Sequence, residues 1–518
     1  MAGTDSPDQF LPVPLRKGLL RRGAAAVLAA VASALLFFLA FPDYGISYLA
    51  WIAFVPLLVV IDGRTTGYAF LTGMFAGFLA NTAVFFWIYE VESFRVFHGL
   101  ILGAYLGLYT AIWCGVLSLF RLQSPLLPVL GASAWVLVDY LMANAGFLAF
   151  SWATLARTQT GNLPLVQIAA ATGEYGVTFL VMLVNILLAR ALVRRSWKPV
   201  LVGAVVIAVA HAWGNWWLDA TSAAPVLRVA AIQPALERRA PGTGPGTDEA
   251  LAVLEELSRE AADSGAELLV WPESVIYDWR AYPEIVNRVT GFVGDAGVPL
   301  LLGVSENEKF ADVERDHSTA QPRRYNSAVL VMPGPEISEP YNKNLLVPFA
   351  EYTPLEGIVS WPGWLVSEIL PMEPAQGYRH FSLRNDVVIA PVICWENLFA
   401  DFVRRAIPEA PRMLVHIVND SWFGTSPAST QHNAASVFRA IENDTPVIVA
   451  SNTGPSMIVD RRGRVLSAVD KLFAPGIAIA DVVPGDGVTF YSRNGDVFVF
   501  LCALLVFAAI SRRLFRPV

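Results

Sequence analysis

The chain has 518 residues, of which 55% are hydrophobic and only 16% charged, with a formal net charge of −7. Soluble proteins carry about 25% charged residues, so the mean hydropathy of +0.49 puts a substantial part of this chain in lipid. No basic run is interleaved with aromatics as a nucleic-acid groove requires, so nucleic acid is excluded as a partner.

Taken in chain order, apolar segments near 24–41, 46–61, 68–89, 96–120, 125–143, 164–189 and 199–218 read as membrane spans, with one more near 496–511. A span needs roughly 20 apolar residues, so the second is short. The first follows Arg16, Lys17, Arg21 and Arg22 like a signal peptide, but no small-residue cleavage site follows, and it is read as an anchor. With the N-terminus inside, the inner ends carry Arg64, Arg121, Arg190, Arg194, Arg195, Lys198, Arg512, Arg513 and Arg516, while the outer loops carry little beyond Arg95 and Arg157. The positive-inside rule then places residues 219–493 outside the cytoplasm and both termini within it. Asp139 and Glu174 are the main charges inside the spans. They are read as lying near helix ends or satisfying one another rather than as a transport path, because no repeated pair of broken helices is visible.

From residue 225 to about 485 the pattern changes to strands alternating with helices. Strands are expected at 226–232, 267–271, 299–304, 328–332, 386–394, 413–418, 446–451, 457–459 and 477–482, and helices at 248–264, 283–294, 399–407 and 429–443. That alternation predicts a layered α/β domain. The three parts are thus a membrane domain over 1–220, an extracytoplasmic domain over 225–485, and a C-terminal span with a basic tail over 494–518. The glycine-rich run Gly242–Thr247 lacks the Lys-Ser/Thr of a phosphate loop and reads as a loop. The six histidines show no metal-ligand spacing, and neither metal nor cofactor is expected.

Three segments carry chemistry. Trp271-Pro272-Glu273 ends a strand on a carboxylate. Lys343 opens the run Lys343-Asn344-Leu345-Leu346-Val347-Pro348-Phe349-Ala350-Glu351. Cys394 ends the apolar run 387–393 and is followed by Trp395 and Glu396. Cys114 and Cys502 lie in apolar spans, so Cys394 has no disulfide partner in the polar part of the chain. A thiol with a pKa of about 8.5 needs a base or a cation to become a thiolate. A carboxylate in an apolar site can serve as that base, and an ammonium group can hold an oxyanion.

Trp-Pro-Glu, then Lys-x-x-Leu-Val-Pro-Phe-x-Glu, then Cys-x-Glu, in this order, resembles the nitrilase (carbon–nitrogen hydrolase) superfamily. The later stretches 419–424, Gln431-His432, 439–442 and 451–454 fit the same pattern. Seven spans before such a domain and one after it resemble the membrane-embedded branch of that superfamily, the apolipoprotein N-acyltransferases. The resemblance implies an αββα sandwich with Glu273 as general base, Lys343 as oxyanion stabiliser and Cys394 as nucleophile, supported by Glu351, Trp395 and Glu396. It further implies a monomer in the bacterial inner membrane that takes an acyl chain from a phospholipid and passes it to the diacylglyceryl-cysteine of an apolipoprotein. A membrane-tethered amidase, or a transporter or sensor with a non-catalytic outer domain, are the alternatives.

The chain departs from the family in three places. No Lys-Trp pair follows Gln233, Trp395 replaces the usual Tyr or Phe, and the Glu-x-x-Arg and Gly-Phe-Pro-Trp motifs are replaced around Asp139 and over 149–152. The run 358–366, with Trp361 and Trp364, reads either as an interfacial lid or as a covered loop.

Overall fold

The structure, a computed structural model, describes residues 13–42, 44–92, 94–219, 227–236, 248–307, 323–334, 336–365, 371–383, 386–409 and 412–514. The run Gly242–Thr247, Val366 and Arg516 lie outside the described residues.

The N-terminal part is helical. It comprises α1 (Val13–Ala40), α2 (Val55–Ile61), α3 (Thr66–Val84), α4 (Val96–Ser118), α5 (Leu127–Ala143), α6 (Leu163–Val166), α7 (Ala169–Thr172), α8 (Glu174–Arg194) and α9 (Lys198–Asp219). Among the described residues, five helices are long and apolar enough to cross a membrane: Arg21–Ala40, Thr66–Val84, Val96–Ser118, Glu174–Arg194 and Lys198–Leu218. Ser47–Ile61, Leu127–Ala143 and Leu163–Thr172 are apolar but shorter. The expected continuous segment at 164–189 is broken. Gly173 sits at φ 65°, ψ −179°, a conformation essentially reserved for glycine, so α6 and α7 form two short turns and α8 starts at Glu174.

The polar part is an αββα sandwich. Its elements are β1 (Leu227–Gln233), α10 (Asp248–Asp263), β2 (Leu268–Val270), α11 (Pro283–Ala296), β3 (Leu300–Asn307), β4 (Arg324–Val331), β5 (Tyr341–Asn342), β6 (Phe381–Ser382), β7 (Val388–Ile393), α12 (Ala400–Ala406), β8 (Arg412–Val418), α13 (Ala428–Asn443), β9 (Val447–Ser451), β10 (Met457–Val459), β11 (Val465–Ala468) and β12 (Gly476–Val482). Two six-stranded sheets run β12-β1-β2-β3-β4-β5 and β11-β10-β9-β8-β7-β6. Side chains alternate across each strand, and the packing follows that alternation. Val229 and Ala231 point into the core between the sheets, with Ile389, Met413, Val415 and Ile448 opposite. Ala230 and Ile232 point outward onto Leu251 and Leu254 of α10 and Val289 of α11. On the other outer face, Ala390, Val392 and Leu414 meet Val403 of α12 and Ala440 of α13. The chain closes with α14 (Phe490–Asn494) and α15 (Val497–Leu514).

Helix α13 joins the two parts. While Ala440 faces the sheet, Val437, Phe438 and Ile441 pack on Leu165, Val166, Ala169, Val177 and Ala210 of the apolar helices. A helix apolar on more than one face is a buried helix, and here the burial is shared between sheet and helical bundle.

Candidate active site

Strands β2 and β7 run parallel to their neighbours β3 and β8, respectively, and each delivers a polar residue just past its carboxyl end. In parallel sheets that edge is the customary place for chemistry. Glu273 follows β2 after Trp271 and Pro272 and is 6% exposed. Its Oε1 accepts from Asn326 Nδ2 at 2.6 Å, and its Oε2 accepts from the Asn419 backbone N–H at 2.9 Å. Gly303 on β3 allows this approach. A Cβ there would lie 2.4 Å from the Pro272 oxygen and 2.6 Å from Glu273 Cα.

Lys343 follows β5 and is 1% exposed. Its Nζ donates to Glu351 Oε1 at 2.8 Å and lies 3.8 Å from Glu273 Oε1. Glu351 Oε2 also accepts from the Val347 N–H at 2.7 Å, so this carboxylate folds the lysine loop back on itself. A buried lysine flanked by two carboxylates is an electrostatic unit rather than a solvated side chain. Burial alone favours the neutral amine, but Glu351, Cys394 and Glu273 outweigh it and hold the Lys343 pKa above the ordinary lysine value. Burial pushes the Glu273 carboxyl above its usual range, with Lys343 opposing and Glu351 adding to the rise. The Cys394 thiol is likewise raised by burial, then by Glu273, and lowered by Lys343. These mutual effects bring Glu273, Lys343, Glu351 and Cys394 into one field.

Cys394 opens a 3-10 turn, Cys394–Leu398, directly after β7. Its φ is 54°, a left-handed conformation that costs a non-glycine residue about 1–2 kcal/mol. Ser274, next to Glu273, is at φ 51°, and Phe349, in the lysine loop, is at φ 62°. All three segments thus hold a strained residue, and such strain persists only where surrounding contacts over-determine the backbone.

Glu396 supplies much of that constraint. It is fully buried, and four donors converge on it: Asn344 N at 2.6 Å, Leu345 N at 3.1 Å, Ile393 N at 2.8 Å and the Tyr341 hydroxyl at 2.9 Å. The cysteine turn is thereby pinned to the lysine loop. Burial pushes the Glu396 pKa up to about 7, against the lowering effect of these hydrogen bonds and of Lys343. Trp395 adds a second tie, since its Nε1 donates to the Leu345 oxygen at 2.7 Å.

The sequence left other residues of this region without a role. Asn326, on β4, is marked by no motif. His416 of β8 and His432 of α13 both face the Cys394 carbonyl oxygen. Gln431-His432 and Arg439 lie in stretches that fit the superfamily, which was the available signal, though not one that defines a partner.

Two readings are corrected by the geometry. Arg157, expected as a charge of an outer loop, is not a solvated one. It is 2% exposed and grips Glu174 through two bonds of 3.1 and 3.2 Å. It also donates to the carbonyls of Ser151, Trp152 and Leu398. Glu174 stands at a helix end as expected, but it and Asp139 do not satisfy one another. Arg439 reaches Glu174 at 3.5 Å and Glu442 at 2.7 Å, while Asp139 accepts from Thr178 at 3.2 Å. Because both arginines also donate to the Leu398 carbonyl, this cluster ties the far end of the cysteine turn to the apolar helices.

The segment at 358–366 is a surface element as far as Leu365. Ile358 is 81% and Trp364 51% exposed. Trp361 packs edge-on against Phe349, and the Trp364 oxygen meets His98 Nε2 of α4 at 2.8 Å. Cys394 touches an apolar cluster that runs from Trp395, Leu345 and Phe399 into the helical bundle at Trp152, Trp87 and Phe85.

Residues 33–187 match the apolipoprotein N-acyltransferase N-terminal domain, and residues 228–489 match the carbon-nitrogen hydrolase family. The apolipoprotein N-acyltransferase of Geobacter metallireducens is 33% identical over 94% of this chain and 95% of its own length. That of Gloeobacter violaceus is 29% identical over 94% and 93%. Among solved structures, an amidase from Nesterenkonia sp. is 18% identical, with a TM-score of 0.35 over 54% of this chain and 98% of its own. With a sandwich matched by one family, apolar helices matched by the other, and a relative aligned almost end to end, the chain belongs to the apolipoprotein N-acyltransferase family.

Proposed function

We propose that this protein transfers an acyl chain from a membrane phospholipid, through a thioester on Cys394, to the α-amino group of a diacylglyceryl-cysteine at an apolipoprotein N-terminus. The observation that carries this reading is the buried Lys343 ammonium held 2.8 Å from Glu351 and 3.8 Å from Glu273 in a loop tied to the Cys394 turn, set where that turn joins the apolar core of the helices. A soluble amidase needs the first feature and has no use for the second.

In the first half-reaction Glu273 takes the thiol proton. The thiolate sulfur attacks the ester carbonyl, and the developing oxyanion is held by the Lys343 ammonium. Collapse breaks the ester C–O bond, and the lysophospholipid oxygen leaves with the proton from Glu273. In the second half-reaction the neutral α-amine attacks the thioester carbonyl. Glu273 receives the amine proton, the C–S bond breaks, and the thiol re-forms as the amide departs. A carboxyl pKa above the usual range suits a group that must both take and return a proton near neutrality. A buried ammonium that stays charged suits a developing oxyanion. Glu351 holds Lys343 in place, and Glu396 and Trp395 hold the cysteine turn against the lysine loop. The exposed Ile358 and Trp364 suit a segment resting at the headgroup level.

The basic residues at alternate ends of the apolar helices support an inner-membrane topology with both termini cytoplasmic and the sandwich outside. On that reading the membrane domain covers 1–220, the catalytic domain 225–485 and the closing span 494–518. The enzyme works as a monomer.

The test is to mix the full-length protein with phospholipid vesicles and read intact and peptide mass. An acyl adduct on Cys394, absent from Cys394→Ser and discharged onto a diacylglyceryl peptide, is the expected result. No adduct, or release of free fatty acid with the peptide left unmodified, sinks the transferase reading and leaves a hydrolase.

A further inference from the structure

The backbone carbonyl of Cys394 has two side-chain neighbours from two different elements. His416 Nε2, from β8, lies 2.9 Å from it, and His432 Nε2, from α13, lies 3.3 Å from it. A carbonyl oxygen only accepts, so each ring bonded to it presents Nε2–H. The two imidazoles meet edge to face at 5.2 Å, and both are fully buried.

His432 is oriented in turn. Its Nδ1 lies 3.1 Å from Asp420 Oδ1, and its ring packs at 4.7 Å on Trp152, which comes from the helical part of the chain. Asp420 is 1% exposed, and its Oδ2 has no hydrogen-bond partner among the described residues, nor has His416 Nδ1. Two buried imidazoles aimed at one carbonyl, one of them backed by a buried carboxylate, are a costly arrangement for packing alone.

We propose that His432, oriented by Asp420, and His416 are positioning residues that clamp the Cys394 carbonyl and so hold the nucleophile in its left-handed turn beside the lysine loop. The carbonyl direction reports ψ of Cys394, and two donors from separate elements leave it one orientation. Without them the strained residue relaxes toward an ordinary conformation, and the Cβ–Sγ bond swings with it. The lowered pKa of His416, caused first by burial and then by His432, fits a ring that acts as a neutral donor. Through Trp152, the clamp also couples the nucleophile to the apolar helices.

The inference rests on Cys394 being the reactive thiol, so its test reads the thiol directly and does not require acyl transfer. Full-length protein in lipid vesicles is treated with iodoacetamide, and alkylation of the Cys394 peptide is followed by mass spectrometry, beside the melting midpoint. His432→Leu is expected to slow alkylation roughly tenfold or more, the worth of one buried hydrogen bond. His432→Gln, which keeps an N–H donor, is expected to return most of that rate. A folded His432→Leu that alkylates at the parental rate overturns the proposal, as does a Gln variant as slow as Leu. Should His432→Leu fail to fold, His416→Leu and His416→Gln carry the same comparison on the other donor, with the same two outcomes. Parental protein that alkylates readily at Cys394 but never acquires an acyl group defeats the transferase reading while leaving this one standing.

Discussion

Replacing Glu396 by Gln sets two opposing effects against each other, and pH decides which prevails. The carboxylate accepts from Asn344, Leu345, Ile393 and Tyr341. A Gln amide has one acceptor oxygen. Seated toward Asn344 and Leu345, it turns its NH2 toward the Ile393 N–H, donor against donor. One orphaned buried N–H costs about 1–3 kcal/mol. Against this, the native carboxyl is itself held at a cost. Its pKa rises from 4.5 to about 7 on burial, which at about 1.4 kcal/mol per unit is of order 3 kcal/mol.

The folded pKa lies above the unfolded one, so the folded state binds more protons between the two values. Stability from this group is therefore fully present below about pH 4.5 and is lost as pH rises through about 7. The Gln variant has no such dependence. Near pH 4.5, where the native carboxyl is protonated, Glu396→Gln is thus expected to be about 1–3 kcal/mol less stable than the parent, with the difference shifting by about 3 kcal/mol in favour of the variant by pH 8. Parallel melts of the two full-length proteins by tryptophan fluorescence across that range measure the difference, in which most other titrations cancel. A deficit that stays constant, or grows with pH, refutes the reasoning.

Three further outcomes follow from the same geometry. Gly303→Ala drives a methyl group into the backbone of Pro272 and Glu273. It should lower stability by about 1–3 kcal/mol and slow Cys394 acylation far more than Glu267→Ala, an exchange at the opposite end of β2, read as thioester formed per minute. Glu174→Gln leaves Arg157 and Arg439 buried with less compensation, and should cost about 3 kcal/mol or more; an unchanged melting midpoint would show the cluster to be dispensable. The acid limb of thioester formation should lie above pH 4.5, because the Glu273 pKa is raised and its base form appears only as pH climbs past that value. Glu273→Gln should abolish that limb together with the rate, and a limb at an ordinary carboxylate pH would remove Glu273 as the base.

What the sequence determined by itself was whatever is encoded locally. Apolar runs marked the helices at 66–84, 96–118 and 198–218, and strands such as β1 and β7 were legible as short apolar runs, buried almost throughout as parallel strands covered on both faces are. Glu273, Lys343 and Cys394 could be read because each falls at the end of an apolar strand or inside a distinctive run. The two-residue strands β5 and β6 were not legible, since their pairing with β4 and β7 has no periodic signal.

Only the tertiary structure decided the charges between the sandwich and the helices. Arg157 looked like a solvated loop cation because what buries it comes from afar: it bonds the Leu398 carbonyl across 241 positions, and the backbone N–H of its partner Glu174 bonds Glu442 across 268. His416 and His432, 22 and 38 positions from Cys394, converge on one carbonyl only when β8 and α13 pack beside the cysteine turn. Hydropathy and strand period report each residue's own preference for water or pleat. Which buried charge meets which carbonyl depends on chain crossings that no local pattern records.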